Sequence, residues 1–508
     1  MKYFPKILFT FFIACLLLSG CTTFSGREFS QLANKQFEIN KQSCNQWLYR
    51  LDQLVKDNDV TDISASRVAK YPFLRVNRFL ASFSSDVDVD PSLFPQWVRE
   101  MQKLDLDGRG VELKNLSESA LESIGIDRDE ILVRTETCSS YLLTDVLSMS
   151  PSDLSARELR ENAKVKDDYD SIKRFVGFYS LLKYPFSKGI EGWHEEAREE
   201  FASRREGEQV SDQLISYAGQ RERVLPRVEV AKLLSKSGRL GHLDLNDSEL
   251  LSLFATYAPV FAVETSGEYD EIGSLHWGTG KGIGVDVREP VVYTKLERTR
   301  FGGEVLPQLV YVAWFTERPK SGVSDMLAGK LDGIVWRVTL SKQGDPLIYD
   351  TMHPCGCYHM FFPTQNLVPI NAPSKYEEWA FSPGNLPVIN EGEQVVITIN
   401  SRTHYVGNVE VASEEIKASV PQIREYELRA YDDLRTLQYA DNQFRSIFGS
   451  DGLIPGTERG ERFLFWPMGI DSAGAMRQWG SHATAFLGRR HFDDADLMQK
   501  RFKRTNKQ

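Results

Sequence analysis

Soft and imidazole ligands are scarce in this 508-residue chain, which has six cysteines and eight histidines. Positive charge is also short: 61 Lys and Arg stand against 71 Asp and Glu, for a formal net charge of −10. An acidic chain is a poor general binder of polyanions, so nucleic acid is not an expected partner. After the first twenty residues no hydrophobic stretch approaches the ~20 residues that span a bilayer. Complete catalytic signatures are missing as well. Gly278-Thr-Gly-Lys-Gly-Ile-Gly284 lacks the Ser or Thr that follows the Lys of a phosphate loop. Asp471-Ser-Ala-Gly474 has Ile470 where a nucleophile elbow needs Gly. Leu104-Asp-Leu-Asp-Gly-Arg-Gly110 lacks the ligand spacing of a calcium loop.

What is present is ordinary for a folded protein, with 41% hydrophobic and 26% charged residues. The length allows two to four domains. The first residues are distinctive. Lys2 and Lys6 precede an apolar run, Ile7 to Leu18, which ends in Leu18-Ser19-Gly20-Cys21. A basic start, a short apolar segment and small residues before a cut site make a secretory signal.

The last four of these residues resemble the bacterial lipoprotein box. The resemblance covers residues 1–21 only. It implies cleavage before Cys21, a diacylglycerol on its thiol and acylation of the new amino group. Two or three chains at ~0.8 kcal/mol per buried CH₂ make a stable anchor. Thr22, in place of an Asp, implies delivery to the outer membrane. The expected location is the cell envelope, with the membrane as partner through the lipid. An envelope protein, a glycan or a small molecule is the further partner to be considered.

Export decides how the remaining cysteines are read. Cys44, Cys138, Cys355 and Cys357 form an even set, and in an oxidising compartment an even set reads first as disulfides. The simplest pairing is Cys44 with Cys138 and Cys355 with Cys357, although three connectivities are possible.

The chain divides by character. Residues 1–20 are the signal and 21–29 a tether. Residues 30–250 read as mostly helical, with helix-period segments at Phe37–Val55, Ser155–Phe178 and His194–Gln220. Ser155-Ala-Arg-Glu158 fits a capping box. From 255 to 425, short β-branched and aromatic runs are separated by turn residues: Val260–Glu264, Val291–Glu297, Leu309–Thr316, Ile334–Leu340, Leu347–Thr351 and Val395–Asn400. Leu331–Leu340 and Leu347–Asp350 form a hairpin around Ser341–Pro346. Strands without helices between them predict an antiparallel sheet, a sandwich or barrel. Residues 426–508 read as a mixed helix and loop segment packed on the β-domain. The fold class is α+β.

One segment concentrates chemistry: Asp350-Thr-Met-His-Pro-Cys-Gly-Cys-Tyr-His-Met-Phe-Phe362. His353, Cys355, Cys357 and His359 alternate, so an extended strand would present them on one face. These are ligands for Zn²⁺ or Cu(I). A straight strand places alternate residues ~7 Å apart, so one ion would need a bend at Pro354 or Gly356 and a distant ligand. His276 and His404 are the distant candidates. The competing readings are a strained, reducible Cys355–Cys357 disulfide or inert thiols. Arg489, Arg490 and His491, beside Asp493 and Asp494, form either an anion site or an ion-pair network. Trp314, Glu317, Arg318, Trp336 and Arg337 would converge at a sheet end if their strands pair. Two function classes follow: a binding or structural envelope lipoprotein, or a metal-dependent or redox enzyme centred on His353–His359.

Overall fold

The computed structural model describes residues 37–505, apart from 151–152, 206–212, 221–223, 279, 281, 388 and 413–422. The signal, Cys21 and the tether lie outside the described residues.

The N-terminal layer is helical. α1 (Lys41–Asp57) begins at Asn40, whose side chain accepts from the Ser43 amide in a reciprocal capping box. α2 (Phe94–Asn115) and α3 (Arg128–Leu147) pack with it around Trp47, Leu51, Trp97, Met101 and Leu142. Cys44 and Cys138 join α1 to α3 as a disulfide with a Cα–Cα separation of 5.0 Å. Beside this apolar core lies a charged one. Arg75 is fully buried and meets Asp62, Asp105 and Glu112, while Arg109 meets Asp105 and Asp52.

The second body is built on a ten-stranded sheet. In chain order its strands are β1 (Leu214–Gly219), β2 (Val260–Glu264), β3 (Val291–Phe301), β4 (Glu304–Arg318), β5 (Gly329–Leu340), β6 (Pro346–Met352), β7 (Met360–Pro363), β8 (Gln394–Ile399), β9 (Val406–Ala412) and β10 (Ile423–Ala430). Their spatial order is β7-β6-β5-β4-β3-β10-β1-β2-β8-β9. Four antiparallel pairings run from β7 to β3, including the expected β5–β6 hairpin with Asp350 opposite Arg337. The sheet is nevertheless mixed. β10 inserts parallel to both β3 and β1, and β8 lies parallel to β2. The links that return β8 and β10 to distant partners are long, so these strands are not bound to hairpin geometry.

The sheet is buried on both faces, which makes β4 a continuous apolar run. Leu309, Tyr311, Ala313 and Phe315 point into one core, and Val310, Val312 and Trp314 into the other. The first core also holds Ile397, Ile399 and Val406 from the far strands and Trp336 and Phe362 from the near ones, so the sheet curls around it. α4 (Tyr179–Arg205) and α5 (Asp247–Tyr257) cover this side, where Phe201 of α4 stacks on Phe362 and Tyr311 donates to the Phe254 carbonyl of α5. The second core is closed by Leu434, Ile454, Met476, Trp479 and Phe492 of the C-terminal segment.

Three local expectations differ from the fold. The stretch 155–178 is broken into helices Leu154–Asn162 and Ser171–Val176, because Asp170 accepts from the amides of Ile172 and Lys173 and starts a new helix. Asp153, not Ser155, precedes the first of these helices, and it makes no side-chain cap bond. Helix also does not run from His194 to Gln220. α4 ends at Arg205, and Leu214–Gly219 is a strand paired on both sides.

Candidate functional site

At one end of the sheet the ends of β2, β4, β5 and β6 meet the β8–β9 turn. Asp332 follows Leu331 at the start of the buried part of β5 and is fully inaccessible. Its Oδ1 accepts from His353 Nδ1 at 3.1 Å and lies 3.4 Å from Arg459 Nη2. Its Oδ2 accepts from His404 Nδ1 at 2.9 Å. His404 Nε2 stands 3.3 Å from Asp270 Oδ1, an ionic contact with the N–H off the line of a good hydrogen bond. Asp270 is held in turn by the amides of Ser266 and Arg402 and the hydroxyl of Ser401. The result is a buried chain, Asp270–His404–Asp332–His353, drawn from four separate segments.

The two imidazoles have opposite characters. His404 lies between two carboxylates and flat on Phe315, with ring centroids 4.0 Å apart. Burial disfavours its charge, but Asp270 and Asp332 overcome that, and its pKa is raised. Among the described residues the one carboxylate His353 meets is that of Asp332, which it shares with His404. Burial dominates there, Arg318 and His404 oppose protonation, and its pKa is lowered. Asp332 stays ionised well below the usual carboxylate range. Its burial is outweighed by Arg459, His353 and His404. The consistent assignment puts a proton on His353 Nδ1, donating to Asp332, and a lone pair on Nε2. Nε2 is buried and has no partner among the described residues.

His353 lines a small, open cleft between the sheet end and α4, together with Trp193, Glu196, Glu200, Tyr358 and Tyr405. The Tyr405 hydroxyl donates to that of Tyr358 at 2.7 Å, and the Arg318 guanidinium lies over the Tyr405 ring at 4.9 Å. Both tyrosine rings pack against His353, and Trp193 packs against Tyr358. The backbone is strained here. Leu331, Tyr358, Arg402 and His404 all have positive φ, between 52° and 67°. Such conformations persist only where the surroundings fix them, and they concentrate at functional sites. Gly356, at φ 90°, closes the 353–357 turn, and a Cβ there would stand 2.5 Å from the Ala483 carbonyl.

This turn corrects the stripe expected of an extended strand. His353 belongs to Asp332, whereas His359 donates to Asp350 at 3.0 Å beside Phe361 and Phe492, with its pKa pushed down to about 3 by burial. Cys355 and Cys357 are not bonded to each other. Both are free thiols, and Cys355 is buried. The Cys357 amide reaches the Cys355 sulfur at 3.4 Å, and the Cys357 thiol is held well above its ordinary pKa by its contact with Cys355 and by burial. Among the described residues no group of three or more His, Cys, Asp or Glu side chains is placed to hold a metal ion, so His353, Cys355, Cys357 and His359 do not form a Zn or Cu centre there.

Of the distant histidines, His404 joins the site, while His276 is exposed on the separate hairpin Ser274–Trp277/Ile283–Asp286. Thr279 and Lys281 of the glycine-rich loop lie outside the described residues. Trp314 and Trp336 lie in opposite cores, and Arg337 is spent on Asp350. Of that group Arg318 reaches the site.

Arg489, Arg490 and His491 make a network of their own. Arg489 pairs with Asp167. Arg490 is buried and donates to Thr484 Oγ1, the Thr484 carbonyl and the Glu378 and Trp379 carbonyls. His491 lies 3.3 Å from Asp168 and 3.6 Å from Asp494.

Sequence reasoning missed Asp270, Asp332, Trp193, Tyr358 and Tyr405. Each is an ordinary residue in an ordinary pattern, brought to the site only by the curl of the sheet. The chain matches no known protein family, no curated protein and no solved structure, so the site is read from its own geometry.

Proposed function

We propose that this is a lipid-anchored cell-envelope protein, carried to the outer membrane by the Leu18–Cys21 box, that binds a small hydroxylated ligand such as a sugar unit in the His353 cleft. The β-region serves as a half-closed barrel with the ligand site at its mouth. One observation carries the reading: His353 is locked by Asp332, and its second nitrogen is left without a partner among the described residues beside an aromatic-lined cleft. A neutral imidazole and the Glu196 and Glu200 carboxylates accept hydroxyl hydrogens, and the faces of Trp193 and the tyrosines suit the apolar face of a ring. The Cys44–Cys138 disulfide supports an oxidising compartment.

A second reading is an enzyme in which His353 is the general base. It is favoured by the strain at Leu331, Tyr358 and His404 and by the orienting Asp332. A metal mechanism draws no support from Cys355 and Cys357, which meet no third ligand among the described residues.

Two measurements test the proposal. Saturation-transfer NMR against a panel of mono- and disaccharides should give signals that His353→Gln and Trp193→Ala abolish. Signals that persist in both variants, or none in the native protein, would refute sugar binding. For the anchor, Cys21→Ser should accumulate as an uncleaved, non-acylated precursor, and normal processing of that variant would refute the lipoprotein assignment.

A further inference from the structure

Nine of the nineteen exposed large hydrophobic side chains among the described residues fall in two short segments, 171–184 and 463–466. Ile172 and Phe175 stand on the helix Ser171–Val176, Phe178 on the link that follows it and Leu181 at the start of α4, and Phe175 is 85% exposed. Phe463 and Trp466 stand on the turn that follows Glu461.

The two segments form one surface. Arg174 donates to the Met468 carbonyl at 2.7 Å, and Phe186 packs on Phe465 with centroids 5.5 Å apart. Gly177 lets the backbones meet, since a Cβ there would lie 2.7 Å from Pro467. Exposed apolar area on this scale marks an interaction site.

Its charge indicates the partner. From Ser171 to Ile190 the sequence holds Lys173, Arg174, Lys183 and Lys188 and no acidic residue, and Arg462 to Gly469 adds one more arginine and no acid. These stretches are basic in a chain of net charge −10. Exposed Phe, Trp and Leu beside Lys and Arg are the composition of a surface that enters the headgroup boundary of an anionic bilayer.

We infer that residues 171–190 and 462–469 form a membrane-docking face that seats the body on the bilayer holding its anchor. The inference uses the anchor as context but stands on the face itself. The sixteen steps from Cys21 to Phe37 reach at most roughly 55 Å, which would keep the face near the lipid and raise its effective concentration there.

The test uses the chain from Thr22 to Gln508, which retains every described residue and lacks the acylated cysteine. It should float with phosphatidylglycerol-containing vesicles and bind phosphatidylcholine vesicles weakly. Phe175→Ser/Phe178→Ser/Leu181→Ser should weaken binding by roughly tenfold or more with an unchanged melting temperature, because all three positions are exposed. Trp466 is the one exposed tryptophan among the described residues, so tryptophan emission should shift to the blue on binding, and Trp466→Phe should remove that shift. No flotation of the native chain, or equal flotation of the triple variant, would overturn the inference. So would a dimer that the triple variant dissolves without any vesicle binding. Failure of Cys21 acylation would leave this result standing, so the two proposals fail separately.

Discussion

At the residue scale, the determining choice is which carboxylate each histidine meets. Asp332 holds His353 and His404 at once, yet the surroundings push the two imidazoles in opposite directions, His353 toward the neutral form and His404 toward the charged one. The same principle at His491 gives a measurable pH dependence. Burial opposes its charge, but the hydrogen bonds it donates to the Asp168 and Asp494 carboxylates exceed that and raise its pKa to about 9 from 6.5. A raised imidazole pKa adds stability that is fully present below 6.5 and lost as pH rises through 9. Over that window the stability difference between the native protein and His491→Gln should shrink by about 2–3 kcal/mol. Urea denaturation at pH 6, 7.5 and 9 reads it. A constant difference would mean that His491 is neutral throughout.

At the element scale, strands were legible where their apolar runs were short and bounded by turns. Val260–Glu264 matches its strand to the residue, and the β5–β6 hairpin is where Ser341–Pro346 places it. The order of strands was not legible, because parallel insertion of β10 depends on long-range closure and leaves no local trace in Ile423–Ala430. The site was half legible for the same reason. His353 and His404 stood out as rare residues in turn-rich sequence, but Asp332 looked like any Asp-Gly at a strand start. The cysteines divide similarly. Cys44 faces Cys138 because α1 and α3 pack antiparallel on one core, whereas the tight 353–357 turn leaves Cys355 and Cys357 unbonded. Denatured, unreduced Thr22–Gln508 should therefore titrate two thiols, rising to four after reduction. Zero thiols before reduction would mean that the second pair is oxidised. Replacing Cys44 and Cys138 with Ala should cost about 2–5 kcal/mol.

At the scale of the whole molecule, the helical layer is tied to the sheet by charge as much as by apolar contact. Arg435, just past β10, donates to both Asp62 oxygens at 2.9 and 2.8 Å. Asp62 also meets Arg75 at the centre of the helical layer's charged core. Arg78 extends the seam to Asp168 and Asp493, and Arg300 reaches Asp86. A buried pair of this kind is weak evidence for net stability, but breaking one half is costly because the other charge stays buried. Arg435→Met should therefore destabilise the protein by about 3 kcal/mol, the lower end of the usual range, since Arg75 still faces Asp62. Asp62→Asn with Arg435→Met should cost less than the two single changes added, by about 1 kcal/mol or more. Urea unfolding of the four proteins measures the coupling. Additivity within about 0.5 kcal/mol would show that the Asp62–Arg435 contact contributes nothing to holding the site-bearing sheet against the helices.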